Sequence, residues 1–547
     1  MFLNYREHDY VECNYRRMLQ SERLDEFKKS VQNKFNIYNS LFLNLPYQNI
    51  ENVGMLIPLL LHQAETGLKS GKNPQEILDA FFQNYANIDS ERDRIDFMFR
   101  IIQYVERQVV LYDSVEDAAF PKLQKHSSSL TIGDYFQLVD KNKSWDQISE
   151  KLSTFSARIV LTAHPTQFYT PAVLDIIGNL RSLILENKIN DIDLVLQQLG
   201  LTSLINAKKP TPLDEAKNII YILRNVYYDA VGELYAYIKD NIGDMDFNNH
   251  NIMKLGFWPG GDRDGNPFVT SNITKDVADE LRITLMKCYY HDIKKLQQKL
   301  TFRDLQDIIS NLRGRLYNTM FDTSKVMRYD EIIEPLLEIR SVLIEKYHKL
   351  YLKDLDYLID KVKIFKTHFA TLDIRQDHSV HTQVVEAILK TNGLISENIG
   401  ELNKQELIDI LIHKDIDLQV QNYEEDIVKE TIQNILQLRG IQEKNGEEGC
   451  NRYVISNSES VFSVLFVYGL FRWCGWESDK ITFDIIPLFE TMKGMESSEN
   501  TMNELFDLPE YKKHLAQRHN KQTIMLGFSD GTKDGGYVKA NWEIFKT

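Results

Sequence analysis

The sequence predicts a mainly helical protein with an α/β core, a barrel of parallel strands joined by helical crossovers, and three observations lead there. A short apolar run rich in β-branched and aromatic residues recurs six times, each time ending on a charged or polar group. Long segments with apolar residues at helical spacing separate the runs, so the simplest topology is parallel strands with chemistry gathered at their C-terminal ends. At 547 residues the chain also far exceeds a minimal barrel of about 250 residues, so large helical additions follow from arithmetic.

Residues 1 to 155 read as an N-terminal helical region, carried by DEFKKSVQNKFNIYNSLFLNL and RDRIDFMFRIIQYVERQVVLYDSV. Residues 156 to 547 read as the barrel portion with its helical insertions, in one large unit. Its runs are RIVLTAH ending at His164, KLGFWPGGD at Asp262, FATLDIR at Arg375, RYVIS at Ser456, FDIIPLFE at Glu490 and TIMLGFSD at Asp530. Helical blocks such as KDVADELRITLMKCYYHDIKKLQQKL and KETIQNILQLRG lie between them. A closed (β/α)8 barrel of the TIM type needs eight strands. Six occur before Thr547, so the expectation is a barrel with six of its eight strands present.

A formal net charge of −15 argues against a nucleic acid or an anionic membrane as the main partner. Four cysteines, Cys13, Cys288, Cys450 and Cys474, show neither paired metal spacing nor a disulfide framework, which fits a reducing cytoplasm. The N-terminus carries charge from Arg6 and lacks the sustained apolar core of a secretory signal. The longest apolar run, Val53 to Leu61, is far below the roughly 18 residues of a spanning helix.

Each strand end has a chemical reading and a duller one. His164 precedes Pro165 where a strand would leave the barrel floor; it suits acid, base or charge-stabilising work, against a hydrogen-bonded structural histidine. Residues 256 to 270, GFWPGGDRDGNPFVT, pack four glycines, two prolines and two aspartates around Arg263. Such density permits close backbone approach, and Arg263 between Asp262 and Asp264 is expected to sit in a charge network that organises the site; an ordinary turn is the competitor.

In FATLDIRQDHSVH, Asp373 and Arg375 share one face of a strand, because alternate residues do. Arg375 suits a phosphate or carboxylate, against a plain ion pair with Asp373. His378 and His381 have no third ligand nearby and are expected to serve packing or solvent roles. Glu490 and Asp530 end different strands and could meet as an oxygen site for magnesium or manganese, against metal-free acid/base work. Lys533 follows Asp530 by three residues and could neutralise a substrate phosphate, against a solvated loop lysine.

Together VLTAHPTQ (160–167), GFWPGGDRDGNP (256–267), TLDIRQ (371–376), PLFET (487–491) and MLGFSDGTKDGG (525–536) resemble phosphoenolpyruvate carboxylase, in order and spacing, across essentially the whole chain. The resemblance implies a lyase that joins phosphoenolpyruvate and bicarbonate into oxaloacetate and phosphate with Mg2+ (or Mn2+). By motif, His164 and Lys533 would be catalytic, Glu490 and Asp530 would hold the metal, and Arg375 and Arg263 would serve the substrate. It further implies a cytoplasmic homotetramer for complete members.

Two wordings depart from the family's: Phe528-Ser529-Asp530-Gly531 stands for Tyr-Ser-Asp-Ser, and Asp534-Gly535-Gly536 for Asp-Ala-Gly. The last two strands and a glycine-rich loop that the family carries after this point are not found. The expectation is therefore an amino-terminal portion of a carboxylase with weak or no activity by itself. A non-catalytic remnant acting as an assembly module, or another metal-dependent barrel enzyme acting on phosphoenolpyruvate or pyruvate enolate, are the alternatives.

Overall fold

Parallel strands cannot be joined by tight turns, so each neighbouring pair needs a long crossover. The computed structural model describes residues 5–42, 53–86, 88–124, 145–162, 169–204, 210–242 and 247–547. Among them six strands form one sheet: β1 (Ala157–Leu161), β2 (Met253–Phe257), β3 (Thr371–Asp377), β4 (Arg452–Ser456), β5 (Asp484–Phe489) and β6 (Met525–Leu526). Sequence order is spatial order and every neighbouring pair is parallel. The protein is thus mainly helical around a six-stranded parallel sheet curled as a half barrel.

The chain divides into two units, residues 1–143 with 164–209, and 144–163 with 210–547. The helical N-terminal unit therefore takes in a segment that follows β1. Its core gathers Phe42, Phe81, Phe97, Tyr104, Leu111 and Ile176. Buried Arg107 donates from Nε to the Leu199 carbonyl at 3.1 Å and from Nη2 to the Thr202 carbonyl at 3.0 Å. A cation thereby satisfies the open carbonyls that end the Ile189–Leu201 helix.

In the second unit the two faces of the sheet have different fates. Outward residues, among them Leu255, Phe257, Leu372, Ile374, Tyr453, Ile455 and Ile485, join one large core with the crossover helices. The Val461–Trp473 helix after β4 is apolar on almost every side, which suits a helix buried all round. The inward face is layered instead. Asp373 is in register with Arg452, and Arg452 with Asp484, giving a charged floor. Above it Val454, Ile486 and Leu488 form a small apolar layer against Met525. Arg375 stands level with Val454 and Ile486, Asp377 stands level with Ser456 one step further along, and Glu490 comes directly after β5.

Helices start almost at once where strands end, because cap residues are waiting there. Asp377 accepts from the Ser379 N–H at 2.7 Å to open the His378–Thr391 helix. Thr491 accepts from the Gly494 N–H at 3.0 Å to open Met492–Asp507. Such caps are worth about 1 kcal/mol each and fix where the strand-end side chains stop.

The last run differs from expectation. β6 spans Met525 and Leu526 alone, and Asp530 stands in the first turn of the Phe528–Gly535 helix. Gly527 explains the early stop: a Cβ there would lie 2.4 Å from the Glu490 Cβ, so the backbone passes Glu490 only at a glycine and turns at once. Cys288, Cys450 and Cys474 are free and buried, and among the described residues no helix is long and apolar enough to cross a membrane.

The inner apolar layer supports the charged floor and the strand ends together, so it should be sensitive to loss of volume. Ile486 is fully buried there. Ile486→Ala is expected to cost about 2–5 kcal/mol, read as a lower urea midpoint with unchanged slope. A loss under about 1 kcal/mol would mean that the layer is not packed as described.

Candidate active site at the strand ends

Gly261 makes the site possible. A Cβ on it would fall 2.1 Å from the Asp373 carbonyl oxygen, so only glycine lets the turn after β2 lie against β3. Once there, the turn pairs with β3 as an added strand would. The Arg375 N–H donates to the Gly261 carbonyl at 2.9 Å and the Arg263 N–H donates to the Arg375 carbonyl at 2.8 Å. Asp262 and Asp264 are thereby delivered to the Arg375 side chain.

The Arg375 guanidinium is held on three sides. Nη1 meets Asp262 Oδ2 at 3.1 Å and Nη2 meets Asp264 Oδ2 at 2.8 Å. Its plane lies over the Trp258 ring, 5.1 Å from the centroid. Glu490 Oε2 stands 4.0 Å from Nη2. Burial raises the Asp262 carboxyl above its ordinary range, although Arg375 pulls it back. One cation among three carboxylates leaves this end of the sheet rich in negative charge.

Glu490 is the most enclosed of these acids, at 5% exposure. Its Oε1 accepts from the Asn457 N–H at 2.9 Å. Burial raises its carboxyl above the ordinary value; the Asn457 N–H and Arg375 lower it, and nearby Asp530 and Asp264 raise it again. Asp530 and Lys533 pair across one helical turn at 2.9 Å, both well exposed. Asp534, from the same short helix, accepts from the Met492 N–H at 2.8 Å and ties that helix to the segment after Glu490.

The structure brings together Arg375, Glu490, Asp530 and Lys533, the last two through their pair and their field at Glu490. His164 lies outside the described residues. Arg263 is buried and turned away from Arg375: Nη1 donates to the Glu430 carbonyl at 3.1 Å and Nη2 stands 3.7 Å from Glu430 Oε2. Glu430 in turn accepts from the Ser271 N–H at 2.7 Å. Arg263 therefore anchors the turn to two helices, and it is Arg375, not Arg263, that Asp262 and Asp264 hold.

Asp373 does not pair with Arg375 either. It binds Arg158 at 2.5 Å, lies 3.7 Å from Arg452 Nε, and accepts from Trp258 Nε1 at 3.1 Å. His381 is fully buried against the Tyr453 hydroxyl at 2.9 Å, and burial pushes its imidazole down to about 3. His378 stacks on Phe466. The residue that sequence reasoning missed is Asn457. Its signal was a Ser-Asn-Ser step directly after the β4 run, a composition that favours a tight turn.

A sequence model of the phosphoenolpyruvate carboxylase family matches residues 95–327 and 306–547. The chain belongs to the phosphoenolpyruvate carboxylase family. It is 29% identical over 453 residues to a phosphoenolpyruvate carboxylase of Nitrosomonas eutropha, covering 71% of this chain and 48% of that protein. A phosphoenolpyruvate carboxylase of Nitrosomonas europaea is 26% identical over 481 residues, covering 75% of this chain and 51% of that one. One from Haemophilus influenzae is 27% identical over 470 residues, with 77% and 52% covered. The chain spans about half the length of the curated relatives it matches.

The raised carboxyl of Glu490 fixes the sign of a stability test. The folded state holds this proton more tightly than the unfolded chain, so its contribution falls as pH rises from the ordinary carboxylate range through the raised value. Glu490→Gln removes that loss while keeping an acceptor for Asn457. The melting temperature of Glu490→Gln minus that of the parent is expected to grow as pH rises from 4 to 7. A difference that stays flat or shrinks would contradict the enclosed, charge-crowded setting of Glu490.

Proposed function

We propose that this chain carries the phosphate-gripping and metal-holding side of a phosphoenolpyruvate carboxylase site, and that the complete protein converts phosphoenolpyruvate and bicarbonate into oxaloacetate and phosphate. The observation that carries this reading is Arg375, presented inward from β3 by two aspartates and placed within 4.0 Å of Glu490. A planar fork with that preorganisation suits a phosphoryl group, which carries charge on several oxygens during transfer.

Glu490 and Asp530 would hold a divalent cation. The donor set fits: both are carboxylates, and Asp530 and Asp264 already disfavour charge on Glu490, a conflict that a cation relieves. Two carboxylates with the remaining positions filled by water and substrate suit magnesium, and manganese equally. The cation would supply charge stabilisation for an enolate oxygen when the site is loaded.

The chain's own residues would do the rest. Arg375 would bind the phosphoryl oxygens while bicarbonate oxygen attacks phosphorus and the bond to the enol oxygen breaks. Lys533, now paired with Asp530, would turn toward the anionic substrate. His164 would manage the proton of carboxyphosphate as carbon dioxide forms next to the enolate carbon. Arg263 would act from behind by holding the turn that presents Asp262 and Asp264.

The six strands would be the first six of a (β/α)8 TIM barrel in the complete protein, with 1–155 as its helical region. A cytoplasmic setting is supported by three buried free thiols. A homotetrameric assembly rests on the family resemblance.

The test is oxaloacetate formation from phosphoenolpyruvate and bicarbonate with magnesium, using the chain alone and with the C-terminal half of a relative supplied in trans. Oxaloacetate is expected where the site is complete, and Arg375→Gln is expected to lower kcat/KM at least about 100-fold, as loss of a charge-stabilising donor does. Pyruvate as the product, or turnover indifferent to Arg375→Gln and Glu490→Gln alike, would overturn the reading.

A further inference from the structure

Asn457 stands between the two strand ends that matter most, and its backbone is bent to do so. It follows β4 directly and has φ 54°, in the left-handed region that few residues other than glycine adopt. Asparagine tolerates that region better than most because its short polar side chain bonds locally. Its two flanking serines are buried, and Ser458 holds the bend in place. Ser458 donates its N–H to the Leu488 carbonyl at 3.1 Å and its Oγ to the Ile455 carbonyl at 2.9 Å, while Asn457 itself is exposed at the mouth.

The bend has two products. The Asn457 N–H points at Oε1 of Glu490, 2.9 Å away at the end of the neighbouring β5. Its side-chain amide donates to Asp377 Oδ2 at 2.5 Å, two residues beyond Arg375 on β3. One residue on the middle strand thus links the end of the Arg375 strand to the Glu490 carboxylate. With Oε1 engaged, Oε2 is the oxygen left toward Arg375, at 4.0 Å.

We propose that Asn457 is the positioning residue for Glu490: its left-handed backbone fixes Oε1 and so presents Oε2 to a bound divalent cation, while the Asp377 link keeps that geometry in step with Arg375. This rests on the reading of Glu490 as a cation ligand. Two consequences can be separated, because the backbone and the side chain do different jobs. Glycine at 457 keeps the left-handed bend and the N–H but loses the Asp377 link. Valine at 457 disfavours the bend itself, since a β-branched residue is strained at positive φ, and takes the N–H away from Glu490.

The measurement is Mn2+ affinity of the chain by electron paramagnetic resonance at a temperature well below unfolding, with circular dichroism as the check on folding. Glu490→Gln, Asn457→Val, Asn457→Gly and Asn457→Ala are compared with the parent. Asn457→Val is expected to weaken Mn2+ about 10-fold or more, Asn457→Gly by less than about 3-fold, and Asn457→Ala in between. Should Asn457→Val fail to fold, the Ala and Gly variants carry the comparison, and equal affinities for those two and the parent overturn the proposal. A folded Asn457→Val that binds as the parent does, while Glu490→Gln binds at least 10-fold more weakly, overturns the positioning role alone. If Glu490→Gln itself leaves Mn2+ affinity unchanged, the cation reading of Glu490 fails and the proposal falls with it.

Discussion

A guanidinium inside a curled sheet has to be paid for in contacts, and the contacts of Arg375 organise everything around it. A buried charge that loses its partner costs about 3–5 kcal/mol, so an inward arginine can persist only if acids reach it. Here they come from the turn after β2, one crossover away in sequence but bridged directly to β3, at Asp262 and Asp264. That bridge needs Gly261, because any Cβ would strike the Asp373 carbonyl. The glycine-rich composition of the turn is thus a steric requirement of the ion pairs, and Arg263 behind it serves the same end by tying the turn to Glu430.

The same constraint explains why charge accumulates at the strand ends. Alternate residues of β3 all face inward, so Asp373, Arg375 and Asp377 form a column. Each level of the column finds separate partners: arginines of β1 and β4 at the floor, aspartates of the turn above, and Asn457 at the rim. The apolar layer of Val454, Ile486 and Leu488 lies beside the column, across β4 and β5. With Glu490 and Asp530 added, acids exceed bases around Arg375, which is the electrostatic condition under which a divalent cation and an anionic substrate can share one site.

Much of this was legible in the order of residues. The helices of the described residues before β1 and the six strands follow from periodicity, and the shared face of Asp373 and Arg375 follows from alternation alone. What alternation cannot supply is partner choice. Arg263 sits between two aspartates in sequence yet binds neither, because adjacent residues of a tight turn point different ways and only the fold brings Glu430 to it. The end of β6 was misjudged for a similar reason: a backbone approach to Glu490 stops the strand at Gly527, and nothing local to TIMLGFSD announces it. Asn457 was missed because its importance lies in a positive φ and two cross-strand bonds, none of which a strand-ending polar residue reveals by type.

The measurement that bears most directly on Arg375 and Glu490 as one site is calorimetric binding of phosphoenolpyruvate to this chain, with and without magnesium. Binding that requires magnesium, weakens at least about 10-fold in Arg375→Gln and is lost in Glu490→Gln is what the geometry predicts. Binding that is independent of magnesium and unchanged by both substitutions would place the substrate elsewhere and contradict the account.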